Sequence, residues 1–393
     1  MRFVFAEFHS RIVANIAKDP STMINLTKAE PVTGKALTSV VDVRKLPKVL
    51  LHEHLDGGLR PATVIDLAAQ LDYRALPTKV PAELAAWFLR SAHRGNLSEY
   101  LEGFVHTTTV MQSAAALERV AFEFIEDMYH DGVVYAEVRF APYYHTSHGL
   151  TEDEVVEAVV TGLTRGETTY GVEWGLIICA MRHLSESLKT AELAIRNRGL
   201  GVVGFDLAGG EHGFPPKKHV EAFQAIAKAN FHITIHAGEA YGPESIWQAL
   251  QICGSHRLGH ATRLIDDIEI LPDGDLKLGN LAQYILDRRI PMEMCLTSNL
   301  HTGACNDLKK HPFGIFFRCG FRVCLNTDNR LMSSTSMTQE TVLATELFNF
   351  DIADLEKLSL NAMKSAFAPF DKRYKIITDI IKPGFASAKN TII

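Results

Sequence analysis

Several features that mark other protein classes are missing from this chain of 393 residues. No stretch clusters Lys or Arg, and the formal net charge of -6 arises from Asp and Glu scattered along the chain without an acidic tail. That pattern argues against nucleic acid and membranes as partners. No CxxC pair occurs among Cys179, Cys253, Cys295, Cys305, Cys319 and Cys324. Cys319 and Cys324 could form half of a metal knuckle, but no second pair matches them. The six read instead as buried, reduced thiols of a cytoplasmic protein. No apolar run approaches the ~20 residues of a membrane helix; a stretch such as WGLIICAM, Trp174 to Met181, is far shorter. The opening MRFVFAEFHSRIVANIAKDPS mixes aromatics with Arg2, Glu7 and Arg11 and has no continuous apolar core, which argues against a secretory signal. Residues 1–45 are expected to form a surface extension with a short amphipathic helix, ahead of a single domain over 46–393.

What is present is the balance of a soluble globular chain, with 47% hydrophobic and 22% charged residues. No internal repeat or low-complexity linker divides it. Between Ser113 and His130, Leu117, Val120, Ala121, Phe124, Ile125 and Met128 recur at helical spacing. Thr151 with Glu154 has the form of a capping box opening a second helix. Further helical patterns run over 216–230, 243–253, 278–289 and 338–348. Eight short aliphatic or β-branched runs alternate with them, at 48–54, 133–140, 172–180, 202–207, 232–236, 257–260, 291–296 and 322–327. This alternation predicts a parallel (β/α)8 TIM barrel with extra helices after the first strand and at the C-terminus; the runner-up is a doubly wound open sheet.

The polar residues separate the two. Nearly every run ends in reactive side chains: HEH, EVRF, DLAGGE, HAGE, GHAT, CLTSN and NTDN. In a barrel these C-terminal ends converge on one mouth, whereas an open sheet would spread them along an edge. Side chains at i and i+2 of a strand share a face, so His52 and His54 present two imidazoles together while Glu53 points away. An HxH pair alone is a weak signal, but His236 and Asp328 also end strands. Three imidazoles and one carboxylate suit a divalent ion, Zn2+ foremost, with water in an open position. Glu239 and His260, near the same mouth, read as the groups that move protons for that water.

In this order and spacing, KVLLHEHLDGGLRP, DLAGGE, HAGE, RLGHAT, CLTSN and LNTDN resemble the adenosine deaminase family of metal-dependent amidohydrolases, from about Leu46 to the end. The resemblance implies one Zn2+ per chain on His52, His54, His236 and Asp328. It implies that Glu239 protonates purine N1, that His260 orients and deprotonates the attacking water, and that Asp328 helps to hold it. His54, Asp56, Gly209 and Asn329 would meet the substrate, Asp56 at the ribose and Gly209 through its backbone. Where the family usually has a second acid, this chain has Asn329, whose amide always carries donors for N7 of a purine. The implied activity is deamination of adenosine and 2'-deoxyadenosine in purine metabolism, with no reading of the oligomeric state. The alternatives are another 6-aminopurine compound (a modified adenine nucleoside, adenine or AMP) or a different metal-dependent amidohydrolase. No Arg or Lys cluster stands beside the motifs to hold a phosphate, and Arg60, Arg139 and Arg330 read as structural or rim arginines. Trp87, Phe88 and Leu89, on a predicted helix, are either a lid over the base or core.

Overall fold

The computed structural model describes residues 23–24, 38, 41–272 and 274–392. Most of the expected N-terminal extension, including its amphipathic helix, lies outside the described residues.

Eight parallel strands pair in chain order: β1 (Lys48–His54), β2 (Val133–Phe140), β3 (Glu173–Met181), β4 (Val202–Ala208), β5 (His232–Ala237), β6 (Arg257–His260), β7 (Met292–Met294) and β8 (Val323–Leu325). The sheet then curls on itself. Glu53 bridges to Asp328: the His54 N–H donates to the Asp328 carbonyl at 2.7 Å, and the Asp328 N–H donates to the His52 carbonyl at 2.9 Å. Earlier along the same seam, the Leu51 N–H donates to the Asn326 side chain at 2.8 Å. An open doubly wound sheet has no such seam, so the barrel reading holds.

Local signals account for the surrounding helices. Between the first two strands lie α1 (Pro61–Gln70), α2 (Pro81–Ala92), α3 (Leu97–Tyr100), α4 (Phe104–Val110) and α5 (Ala114–His130). Pro occupies the first position of α1 and of α2, where its missing N–H costs nothing. Ser113 caps α5, burying Leu117, Val120, Phe124 and Ile125, and the Thr151–Glu154 box opens α6 (Glu152–Tyr170). Helices Ile352–Ser365, Phe370–Ile376 and Lys382–Ile392 follow the last strand.

Several boundaries differ from expectation, two of them by a change of element. The run expected as strand at 291–296 is strand only over Met292–Met294, because from Leu296 the chain turns into the helix Leu296–His301. Leu278, expected to open a helix, instead ends the strand Leu276–Leu278, which pairs antiparallel with Ile268–Ile270; its helix starts at Asn280.

The strand runs are largely aliphatic or β-branched, yet the barrel interior holds a buried ionic ladder. Arg257 meets Glu137 at 2.6 Å and Glu293 at 2.5 Å, while Arg139 meets Glu293 at 2.7 Å and Asp206 at 3.0 Å. All five side chains are buried. Such a ladder is retained when each charge is paired and hydrogen-bonded, since breaking one pair costs about 3–5 kcal/mol. Arg139 is thus structural, and so are Arg60, bound to Glu126 and Asp127, and Arg330, bound to Glu53 and Asp127.

Candidate active site

At the C-terminal mouth, one ligand atom from each of His52, His54, His236 and Asp328 lies within 4.8 Å of every other. Oδ1 of Asp328 is 3.2 Å from Nε2 of His52 and 3.5 Å from Nε2 of His54, and the Nε2 atoms of His54 and His236 are 3.1 Å apart. Two buried carboxylates set the ring tautomers behind them. Nδ1 of His52 donates to Glu293 at 2.9 Å, and Nδ1 of His236 donates to Asp206 at 3.0 Å. With Nδ1–H committed outward, each Nε2 lone pair points inward at Asp328. A cluster of acceptors facing acceptors needs a cation at its centre, and three imidazoles with one carboxylate fit a divalent metal ion.

The charge states agree. Burial pushes His54 down to about 3 and lowers His236 as well, which leaves neutral imidazoles fit to ligate. His52 is held upward: burial and Arg139 oppose protonation, but the carboxylates of Asp328 and Glu293 outweigh them. Between two carboxylates, that ring must carry either a proton or a metal on Nε2. Asp328 also accepts from Ser298 at 2.6 Å, and its backbone sits at φ 65°, a left-handed conformation of about 1–3 kcal/mol that the barrel seam imposes.

Glu239 and His260 lie beside this cluster. Nε2 of His260 is 3.6 Å from Glu239, and Thr302 donates to the Glu239 carboxyl at 2.9 Å. Burial, reinforced by the charge of Asp328, lifts Glu239 well above the usual carboxylate range, as a proton donor requires. The state of His260 follows from a chain of bonds. The Phe313 N–H donates to Nδ1 of His311 at 3.2 Å, so Nε2–H of His311 donates to Oδ1 of Asn299 at 3.1 Å. The Asn299 amide therefore turns its NH2 to Nδ1 of His260, at 3.0 Å. Neutral His260 then carries its proton on Nε2, facing the site.

A cavity of about 330 Å3 opens over these groups, lined by His54, Asp56, Gly209, Glu239, Asp328 and Asn329 among others. Asp56 and Asn329 are buried, and among the described residues nothing hydrogen-bonds Oδ1 of either one. Gly209 sits at φ 94°, which lets its backbone face the cavity without a Cβ. The apolar wall comes from Leu97, Tyr100, Leu101, Phe104 and Val105, on α3, α4 and the turn between them. Trp87 and Phe88 do not line the cavity: Phe88 is 0% exposed and belongs to the core. The reading of those residues as core holds, and the apolar wall of the cavity starts about ten residues further along.

All the residues read from the sequence thus meet at one mouth. Sequence reasoning missed Asp206, Glu293, Ser298, Asn299, Thr302 and the α3–α4 wall. Four of these left a signal: Asp206 opens DLAGGE, Ser298 and Asn299 close CLTSN, and Glu293 is a lone charge in PMEMCL.

The family model for adenosine deaminase matches residues 47–383. The chain belongs to the adenosine deaminase family. It is 52% identical over 367 residues to adenosine deaminase 1 of Streptomyces coelicolor, covering 92% of this chain and 93% of that one. Among solved structures, the N6-methyl-AMP deaminase of Arabidopsis thaliana superposes with a TM-score of 0.73 at 27% identity, covering 88% of this chain and 98% of the other. An amidohydrolase from Burkholderia ambifaria, solved with bound Zn, superposes with a TM-score of 0.78 at 22% identity, covering 93% of this chain and 97% of that one, a likeness of fold. The acceptor cluster is a group of side chains that could hold a metal ion, and among the described residues no helix is long and apolar enough to cross a membrane.

Proposed function

We propose that the protein hydrolyses the 6-amino group of adenosine and 2'-deoxyadenosine, giving inosine or deoxyinosine and ammonia, with one zinc ion on His52, His54, His236 and Asp328. In this reading residues 46–393 form one deaminase domain behind an N-terminal extension, and the protein works in the cytoplasm on a small purine nucleoside. The observation that carries it is the pairing, in one buried mouth, of an acceptor-only His/Asp cluster with the buried carboxyl of Glu239, which lies 3.6 Å from His260 and which burial lifts above the usual carboxylate range. Zinc on these ligands supplies a water nucleophile at neutral pH by lowering the pKa of the water it binds. The remaining steps belong to side chains. Glu239 gives its proton to purine N1, which makes C6 electrophilic. His260 donates its Nε2–H to the attacking oxygen and orients it. Asp328, with one oxygen held by Ser298, takes part in holding the same water. The earlier expectation that His260 also deprotonates the water needs the opposite tautomer to the one Asn299 sets, so orientation is its role in the neutral ring. When the C–N bond breaks, one proton given up by the attacking water passes to the amino nitrogen and ammonia leaves, the other restores the Glu239 carboxyl, and C6 keeps the oxygen while N1 keeps its proton.

Substrate class follows from the rest of the cavity. Asp56 offers a free carboxylate oxygen to a ribose hydroxyl, which favours a nucleoside over free adenine. Arg60, Arg139 and Arg330 are each committed to carboxylates, which leaves none of these arginines for a phosphate. Asn329 supplies an N–H donor to N7 without needing a protonated acid.

The test is ammonia release from adenosine, adenine and AMP by the purified protein, before and after chelation and zinc restoration. Adenosine turnover that disappears with the metal and returns with zinc is expected. Faster release from adenine or AMP would move the protein to another 6-aminopurine substrate, and turnover that survives complete metal removal would refute the zinc assignment.

A further inference from the structure

The segment DLAGGE ends in a residue that the chemistry above leaves unused. Asp206 fixes His236 and Gly209 faces the cavity, but Glu211 points elsewhere. Its carboxylate is buried and accepts four consecutive backbone N–H groups: Gly238 at 2.7 Å on one oxygen, and Glu239 at 3.0 Å, Ala240 at 2.8 Å and Tyr241 at 2.9 Å on the other. Those four residues follow β5 and carry the proton donor. Gly238, at φ 78°, starts the turn that lets their N–H groups converge. A nest of successive N–H groups is an anion site, and here the anion is part of the chain. An ionised carboxylate has about four acceptor positions, so Glu211 can satisfy this nest where a neutral amide, with one oxygen, cannot. Arg182 is tied into the same region. Its guanidinium donates to the His236 carbonyl and, at 2.8 Å, to the Phe214 carbonyl, and Glu211 is the charge that most opposes the effect of burial on it.

We propose that Glu211 is a positioning residue for the deamination step: it clamps the backbone of residues 238–241 so that the Glu239 carboxyl is held against N1 of the purine. Thr302 fixes the far end of the Glu239 side chain, and Glu211 fixes its root. This inference rests on the assignment of Glu239 as the N1 acid. Glu211 touches neither the substrate cavity's metal cluster nor, in that reading, the nucleoside. Its loss should therefore reduce turnover while leaving substrate and metal binding in place.

The experiment is a double-mutant cycle of Glu211→Gln with Glu239→Gln on the zinc-loaded, full-length protein, with kcat, KM and metal content measured for each. A misplaced catalytic group costs on the order of 100-fold in rate, so Glu211→Gln alone should lower kcat by about that factor with KM nearly unchanged and one zinc retained. In the Glu239→Gln background the same change should cost almost nothing, because the group it positions is already disabled. Wild-type turnover in Glu211→Gln would overturn the proposal, and so would an equal loss in both backgrounds, which marks a general structural role. If Glu239→Gln itself keeps full turnover, the acid assignment fails, and the clamp is then judged by hydrogen exchange in the wild-type protein. Exchange also decides the case if Glu211→Gln does not fold. Amides of residues 238–241 exchanging as slowly as those of β5 support the clamp, and exchange at the rate of an open loop overturns it.

Discussion

Asp206→Asn tests whether the carboxylates behind the imidazoles, and not only the imidazoles, hold the metal. Oδ2 of Asp206 lies 3.0 Å from Nδ1 of His236 and 3.0 Å from a guanidinium nitrogen of Arg139. Burial opposes its charge, but His236 and Arg139 keep it ionised, well below the usual carboxylate range. The arginine cannot accept a hydrogen bond, so an Asn amide must leave its oxygen on that side. From there the oxygen still reaches Nδ1 of His236, and the ring keeps its place. What disappears is the negative charge that makes the imidazole a better ligand. Loss of such a partner lowers metal affinity about 10–100-fold, which is about 1.4–2.7 kcal/mol of binding energy. Arg139 retains Glu293 and the Leu51 carbonyl, so the metal-free protein should lose less than the roughly 3–5 kcal/mol of a broken buried pair. Zinc affinity is read by competition with a chromogenic chelator, and stability by urea unfolding of metal-free and metal-loaded samples. If the variant holds zinc within twofold of wild type, the claim that Asp206 tunes His236 is wrong. If instead the metal-free protein falls furthest, the carboxylate serves the ionic ladder and not the metal.

Other outcomes follow from the same geometry. Phe104→Ala removes part of the cavity wall and should raise KM for adenosine on the order of tenfold, the low end of the roughly 1.5–3 kcal/mol of a fully buried aromatic because Phe104 is half-buried. Phe88→Ala, a core deletion, should leave KM alone and cost about 3–5 kcal/mol in urea unfolding; a KM effect confined to Phe88 would reverse the reading of Phe88 as core. Asn299→Leu frees the tautomer of His260 and should lower kcat by at least about tenfold with KM unchanged. Nitrogen-15 NMR of the ring should show Nε2 protonated in the wild type and mixed tautomers in the variant. Glu340 is pushed up to about 7 by burial, against hydrogen bonds from Thr297 and Thr335. Its folded value exceeds its unfolded one, so the stability it contributes is complete near pH 4 and is lost as pH rises to 7. Glu340→Gln should equal wild type at low pH and exceed it at pH 8 by on the order of 3 kcal/mol in urea unfolding. Parallel pH profiles for the two proteins would refute this.

The sequence alone determined the parts that depend on local rules. Strand periodicity put His52 and His54 on one face, helical spacing placed α5 and a capping box the start of α6, and reactive residues at strand ends predicted a shared mouth. Those features depend on a few neighbouring residues, and so they can be read in a line. The tertiary structure alone decided which buried charge meets which ring. Glu293 reaches His52 across 241 positions, and Asn299 reaches His260 across 39. Both contacts depend on how the barrel closes through the seam between β1 and Asp328 and on how far each strand is staggered. The end of β7 shows the same limit: CLTSN looks like the end of a strand, but its Ser298 and Asn299 act from the first turns of a helix. Whether Phe88 was lid or core stayed open in the sequence for a related reason, since Phe88 and Phe104 are equally apolar there. Only the packing of α2, whose Phe88 lies with Met332 against Gly103, and of α3 and α4 over the cavity, separates core from wall, because burial is a property of the surroundings and not of the side chain.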